Sequence, residues 1–125
     1  MVQSDRTLLV IDDVEENRDI LKRRLEKQGY HIEVAGDGQE GLLLLNKKRV
    51  SLILLDLNMP VMNGFTFLEK VKNNKRFANI PVVIATSFDD EETANDCLAF
   101  GASGYITKPY DMQQVMSQID HCLAS

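Results

Sequence analysis

The chain reads as an α/β protein in which five β-strands alternate with five α-helices around one parallel sheet. Three observations carry that reading. Apolar runs of strand length recur five times, at 7–11, 31–35, 51–55, 81–86 and 104–107. Most are β-branched or leucine-rich and lack polar alternation, as strands covered on both faces require. Between them lie helical patterns of roughly ten to fifteen residues, enough for the crossover helix of a βαβ unit.

The helices carry their own signatures. Ile20, Leu21 and Leu25 mark the first, which Gly29 stops. The second, about 39–48, is so leucine-rich that its buried face is hard to identify. Asn63-Gly64 reads as a turn ahead of a third helix marked by Phe67, Leu68 and Val71. A fourth places Ala94, Cys97, Leu98 and Gly101 on one face, with Asp89, Asp90, Glu91 and Glu92 at its start, where the helix dipole favours negative charge. The fifth repeats Met112, Val115, Met116, Ile119 and Leu123 behind Asp111 as N-cap, with Gln114 placed to complete a capping box.

At 125 residues and 44% apolar composition, the chain is expected to bury one core as a single domain over 1–125, with its core at about 7–123. Short connections leave no room for a linker or repeat. No run approaches a membrane span and the N-terminus lacks a signal pattern, so a cytoplasmic location is expected. A net charge of −5 with interspersed basic residues argues against a nucleic-acid surface. Cys97 and Cys122 fall on helical apolar stripes and read as buried thiols rather than a redox or metal pair.

In an open parallel sheet, ligands bind beyond the carboxyl ends of the strands. Those ends carry Asp12 and Asp13 after strand one, Asp56 and Asn58 after strand three, Thr86 and Ser87 after strand four, and Lys108-Pro109 after strand five. Three carboxylates at neighbouring strand ends repel unless a cation sits among them. Hard oxygen donors without histidine or cysteine favour Mg²⁺. A lysine and a threonine hydroxyl aimed at the same point suit the oxygens of a transferring phosphoryl group, with Asp56 as nucleophile and an aspartyl phosphate as product.

Over almost its whole length the chain resembles the response-regulator receiver family of two-component signalling. The resemblance rests on Val10-Ile11-Asp12-Asp13, the run from Leu54-Leu55-Asp56 through Asn58-Met59-Pro60 to Asn63-Gly64, Ala85-Thr86-Ser87, and Gly101 through Tyr105 to Lys108-Pro109. It implies a flavodoxin-like three-layer (βα)₅ sandwich with strand order 2-1-3-4-5. By the same resemblance Asp56 accepts the phosphoryl group, Asp13 ligates Mg²⁺ directly, Asp12 acts through a water, and Asn58 offers its backbone carbonyl. Lys108 would bind a phosphoryl oxygen and the Ser87 N–H would help hold the group. Thr86 and Tyr105 would form the switch, and the bond before Pro109 would be cis. Implied partners are a histidine kinase or histidine phosphotransferase, meeting Asn17, Arg18 and Leu21, and a downstream effector reading the helix 4, strand 5, helix 5 face. The unphosphorylated chain is expected to be a monomer that contacts neither membrane nor nucleic acid, and to be no enzyme beyond its own phosphorylation and dephosphorylation. Phe88, two residues after Thr86, would shield the acyl phosphate and slow its loss.

Competing readings weigh less. Gly36-Asp37-Gly38-Gln39-Glu40-Gly41 spells G-x-G-x-x-G, but it follows the second strand, and Asp37 and Glu40 suit an N-cap and its partner better than a pyrophosphate. His31 and His121 read as solvated, and Met59 and Met62 as packing filler. A Mg²⁺-dependent phosphatase working through an aspartyl phosphate would need an acid/base where Asn58 stands. A flavin site would need a phosphate cradle where Asp12, Asp13 and Glu15 stand. A receiver-like interaction module that is never phosphorylated would not need the intact polar set.

Overall fold

Strands rich in leucine and valine can bury their backbone polar groups only by pairing with one another. In the computed structural model they do so as one five-stranded sheet. The structure describes residues 6–57, 62–87 and 91–124. Within them run β1 (Thr7–Ile11), α1 (Glu15–Lys27), β2 (His31–Ala35), α2 (Gly38–Lys47), β3 (Leu52–Asp56), α3 (Gly64–Lys72), β4 (Val82–Ser87), α4 (Glu91–Phe100), β5 (Gly104–Lys108) and α5 (Met112–Leu123). Every strand pairing is parallel and the order is β2-β1-β3-β4-β5, as the resemblance implied. The strand order reverses between β1 and β3, paired from Leu8↔Leu52 to Ile11↔Leu55, so the crevice of an open sheet opens beyond their carboxyl ends.

Strand alternation sends successive side chains to opposite faces, and the core divides accordingly. Leu9, Ile11, Ile53, Leu55, Val82 and Ile84 meet Leu45 of α2, Phe67, Leu68 and Val71 of α3, and Ala94 and Cys97 of α4. On the other face Leu8, Val10, Leu52, Leu54, Val83, Ala85 and Ile106 meet Leu21 and Leu25 of α1 and Val115 and Ile119 of α5. The sheet is thus the middle of three layers. No described helix is long and apolar enough to cross a membrane.

Several local readings need correction. Asn63 is an N-cap rather than part of a free turn: its side chain accepts from the Thr66 N–H at 2.9 Å and Gly64 opens α3. Asp111 does cap α5, but through the Gln113 N–H. Gln114 forms no capping box, because its Oε1 accepts from the Thr107 N–H of β5 instead. Ile20, expected on the buried face of α1, is 42% exposed. Leu43 is exposed and Leu45 buried, which settles the orientation of α2. Cys97 is buried, whereas Cys122 is only half-buried. His31 and His121 are exposed, and Met62 packs against the core as filler.

Packing accounts for Gly38 and Gly41 of the G-x-G-x-x-G segment. A Cβ on Gly36 would lie 3.2 Å from Arg18 Nη1, one on Gly38 would meet the Met62 side chain, and one on Gly41 would strike Ile11 Cδ1. Asp37 Oδ1 accepts from the Glu40 N–H, and Glu40 Oε1 accepts from the Gly36 N–H at 2.7 Å. That N–H is therefore already engaged.

Gly64 has a tighter constraint, since a Cβ there would lie 2.6 Å from Leu57 Cα and 2.7 Å from the Asp56 carbonyl oxygen. Backbone cannot step aside as a flexible side chain can. Gly64→Ala is therefore expected to destabilise the fold by about 1–3 kcal/mol, read as a lower urea midpoint. An unchanged midpoint would show that the backbone at Leu57 yields freely.

Candidate functional site

The site lies at the carboxyl edge of the sheet. Asp12 follows β1 and its N–H donates to the Ala35 carbonyl, extending the ladder by one residue. Asp56 is the last residue of β3, and Lys108 the last of β5, so both sit inside strands rather than after them. Odd and even positions then sort the polar side chains by face. Asp12, Asp56 and Lys108 continue the face that packs on α1 and α5, while Thr86 and Tyr105 belong to the face toward α3 and α4.

Asp12 and Asp56 are 0% and 2% exposed, whereas Asp13 is exposed. Carboxylate oxygens of all three lie within 4.8 Å of one another. Lys108 Nζ sits 2.9 Å from Asp56 Oδ1 and 3.7 Å from Asp12 Oδ2. Among the described residues, one ammonium faces three carboxylates, which leaves the pocket negative. Two oxygens on opposite sides of an octahedral Mg²⁺ stand about 4 Å apart, so this all-oxygen set could close on one small hard cation with slight side-chain movement. The residues fit a metal ion on spacing and on donor chemistry.

Asp12 is held from several sides. Its Oδ1 accepts from the Val14 N–H at 2.9 Å, which fixes the residue preceding α1. Its Oδ2 accepts from the Tyr110 hydroxyl at 2.9 Å. Arg18 Nη1 donates to its backbone carbonyl at 2.9 Å. Tyr110 was not singled out in the sequence. Its one available signal, an aromatic with a polar tip just after Lys108-Pro109, says nothing about which strand end it reaches.

Other expected site residues fall as follows. Thr86 is 1% exposed near the end of β4, one residue past Ala85, the register partner of Asp56. Tyr105 is half-buried against the α3 and α4 side of the core. The Ser87 backbone ends β4, paired with Lys108. The Lys108–Pro109 peptide is cis, as expected. Asn58, Met59 and Phe88 lie outside the described residues.

Burial pushes the Tyr110 phenol well above the ordinary tyrosine value of 10.0, aided by the Asp12 charge, its hydrogen bond to Asp12 and the Asp56 charge. An unfolded chain ionises this phenol near pH 10 while the folded chain keeps it protonated, so stability falls as pH rises through that range. The unfolding midpoint of the parent protein should therefore drop more steeply above about pH 10 than that of Tyr110→Phe. Parallel slopes in the two proteins would refute this coupling.

A sequence profile described as "Response regulator receiver domain" matches residues 8–120. The response regulator PleD of Caulobacter vibrioides is 35% identical over 112 residues, covering 90% of this chain and 25% of PleD. The DNA-binding dual master transcriptional regulator RpaA of Synechocystis sp. is 32% identical over 112 residues, covering 90% of this chain and 46% of RpaA. The chain thus spans a quarter to a half of the length of these curated relatives. Among solved structures, the Vibrio cholerae chemotaxis protein CheY4 superposes with a TM-score of 0.88 at 30% identity, over 94% of this chain and 98% of CheY4. A putative response regulator from Chloroflexus aurantiacus gives 0.91 at 25% identity, over 96% and 98% of the two chains. Sheet order, the acidic pocket and a profile match over most of the chain agree: this chain belongs to the response regulator receiver domain family of two-component signalling.

Proposed function

We propose that this receiver domain is a phosphoacceptor switch in which Asp56 takes a phosphoryl group from a histidine donor in the presence of Mg²⁺. The observation that carries the proposal is the meeting of Asp12, Asp13 and Asp56 around one point, with Lys108 on Asp56 at 2.9 Å. An Asp56 carboxylate oxygen attacks phosphorus in line, the P–N bond of a phosphohistidine breaks, and the imidazole departs with the electron pair and takes up a proton. Bound Mg²⁺ would neutralise charge between the carboxylates and the phosphoryl oxygens. Asp13, Asp56 and the Asn58 carbonyl would hold it directly, and Asp12 through a water. Lys108 leaves its ion pair with Asp56 to bind a phosphoryl oxygen, and the Ser87 N–H donates to another.

Thr86 and Tyr105 form the switch. They lie on one face of adjacent strands, with Thr86 opposite Thr107 and Tyr105 opposite Ile84. Drawing the Thr86 hydroxyl toward Asp56 vacates space that the half-buried Tyr105 ring can take. The phosphoryl group shifts this equilibrium only by its difference in contacts between the two arrangements. The altered α4, β5 and α5 face is what an effector reads. Residues from about 7 to 123 act as one domain, cytoplasmic and monomeric until phosphorylated, with any DNA contact made by another domain or protein.

The donor docks at the start of α1. Leu21 cannot take part, being 1% exposed in the core, and Arg18 is engaged with the Asp12 carbonyl. Asn17 with the exposed Val14 and Ile20 offers the contact instead.

Incubation with phosphoramidate or acetyl phosphate and Mg²⁺ should add one phosphoryl mass, which Asp56→Asn or EDTA abolishes. Continuous release of phosphate would instead mean a phosphatase, and no added mass an interaction module. Ile20→Asp should slow transfer from a phosphorylated histidine phosphotransferase by about tenfold, the equivalent of about 1.4 kcal/mol of lost contact. Its reaction with acetyl phosphate should be unchanged, and equal slowing with both donors would move the docking surface elsewhere.

A further inference from the structure

The Asp12 side chain, like that of Asp56, is only 1% exposed, so solvent has little part in orienting it. Its carboxylate is fixed by two protein donors, the Val14 N–H on Oδ1 and the Tyr110 O–H on Oδ2, each at 2.9 Å. Lys108 is 3.7 Å from the same Oδ2 and closer to Asp56, so it is the weaker hold. A carboxylate pinned at one oxygen can still rotate about that bond, whereas two donors on different oxygens fix its plane. Tyr110 is well placed for this. Its ring packs against the core formed with α1 and α5, and Asp111, the next residue, caps α5. Two χ angles are all that must be fixed to aim the hydroxyl.

We propose that Tyr110 is a positioning residue for the divalent cation: its hydroxyl locks Asp12 in the orientation from which Asp12 meets the metal's water. The inference rests on the Mg²⁺ reading above and adds to it a residue from the β5–α5 connection. Partners of this kind, which touch a ligand rather than the metal, commonly change metal affinity by about 10–100-fold when removed. Because Tyr110 follows Lys108 by two residues, one short segment would serve both the metal and the phosphoryl oxygens.

The test is a Mg²⁺ titration of the full chain, followed by calorimetry or amide chemical shifts, at a temperature where every variant is folded. Tyr110→Phe keeps the ring and deletes only the hydroxyl. It should weaken Mg²⁺ binding by about 10-fold or more. Tyr30→Phe, which removes another core phenol on the same side of the sheet, should leave the affinity as it is. Tyr110→Leu should weaken binding no further than Tyr110→Phe, although it costs more stability. Unchanged or tighter binding by Tyr110→Phe would overturn the inference, as would a loss that appears only in Tyr110→Leu, since packing alone would then be the role. If the parent protein itself shows no Mg²⁺-dependent change, the metal reading fails before Tyr110 is in question, so the two failures are distinct.

Discussion

Two carboxylates buried side by side with a single ammonium form the constraint on which this molecule is built. Each buried carboxylate left without a partner would cost several kcal/mol, and that cost is tolerable only if the cation is held in place. Lys108 must reach from β5 past β4 to meet Asp56 on β3 and approach Asp12 beyond β1. The β4 residue beside Asp56 is Ala85, whose methyl leaves that path open. A parallel sheet with every inner strand paired on both sides supplies the rigidity. Asp56 and Lys108 are strand residues, and Asp12 adds one hydrogen bond to the ladder.

Placement by face would give the proposed switch its form. Asp12, Asp56 and Lys108 continue the face toward α1 and α5, while Thr86 and Tyr105 belong to the α3 and α4 side. In the proposed switch a chemical change at Asp56 would be read on the opposite face through the end of β4, where Thr86 stands one residue past the Asp56 pairing. The layer behind is closely packed, with Ile84, Ala94 and Cys97 all fully buried, while Tyr105 on the same face is only half-buried.

Much of this was legible beforehand. Strand positions were readable because a doubly covered strand must be apolar along its length, as β3 is up to Asp56. Errors arose where a residue's partner is distant in the chain. The spacing of Gln114 from Asp111 suits a capping box, yet its Oε1 accepts from the Thr107 N–H of β5. Ile20 and Leu21 looked alike, but packing on β1 and β2 buries one and exposes the other. The glycines of 36–41 spell a phosphate loop, but the close approach of Met62 to Gly38 and of Ile11 to Gly41 gives two of them a packing reason.

The sequence alone determined the alternation of strands and helices and the carboxyl-edge location of the polar residues, among them Asp12, Asp56, Thr86 and Lys108. These follow from periodicity and from the cost of burying charge, which are local properties of the chain. Tertiary structure decided which oxygen each donor meets: Lys108 on Asp56, Tyr110 and Val14 on the two oxygens of Asp12, and Arg18 on its carbonyl. Hydrogen bonds act over about 3 Å. Whether residues 98 positions apart come that close depends on strand order and register, which no local pattern encodes.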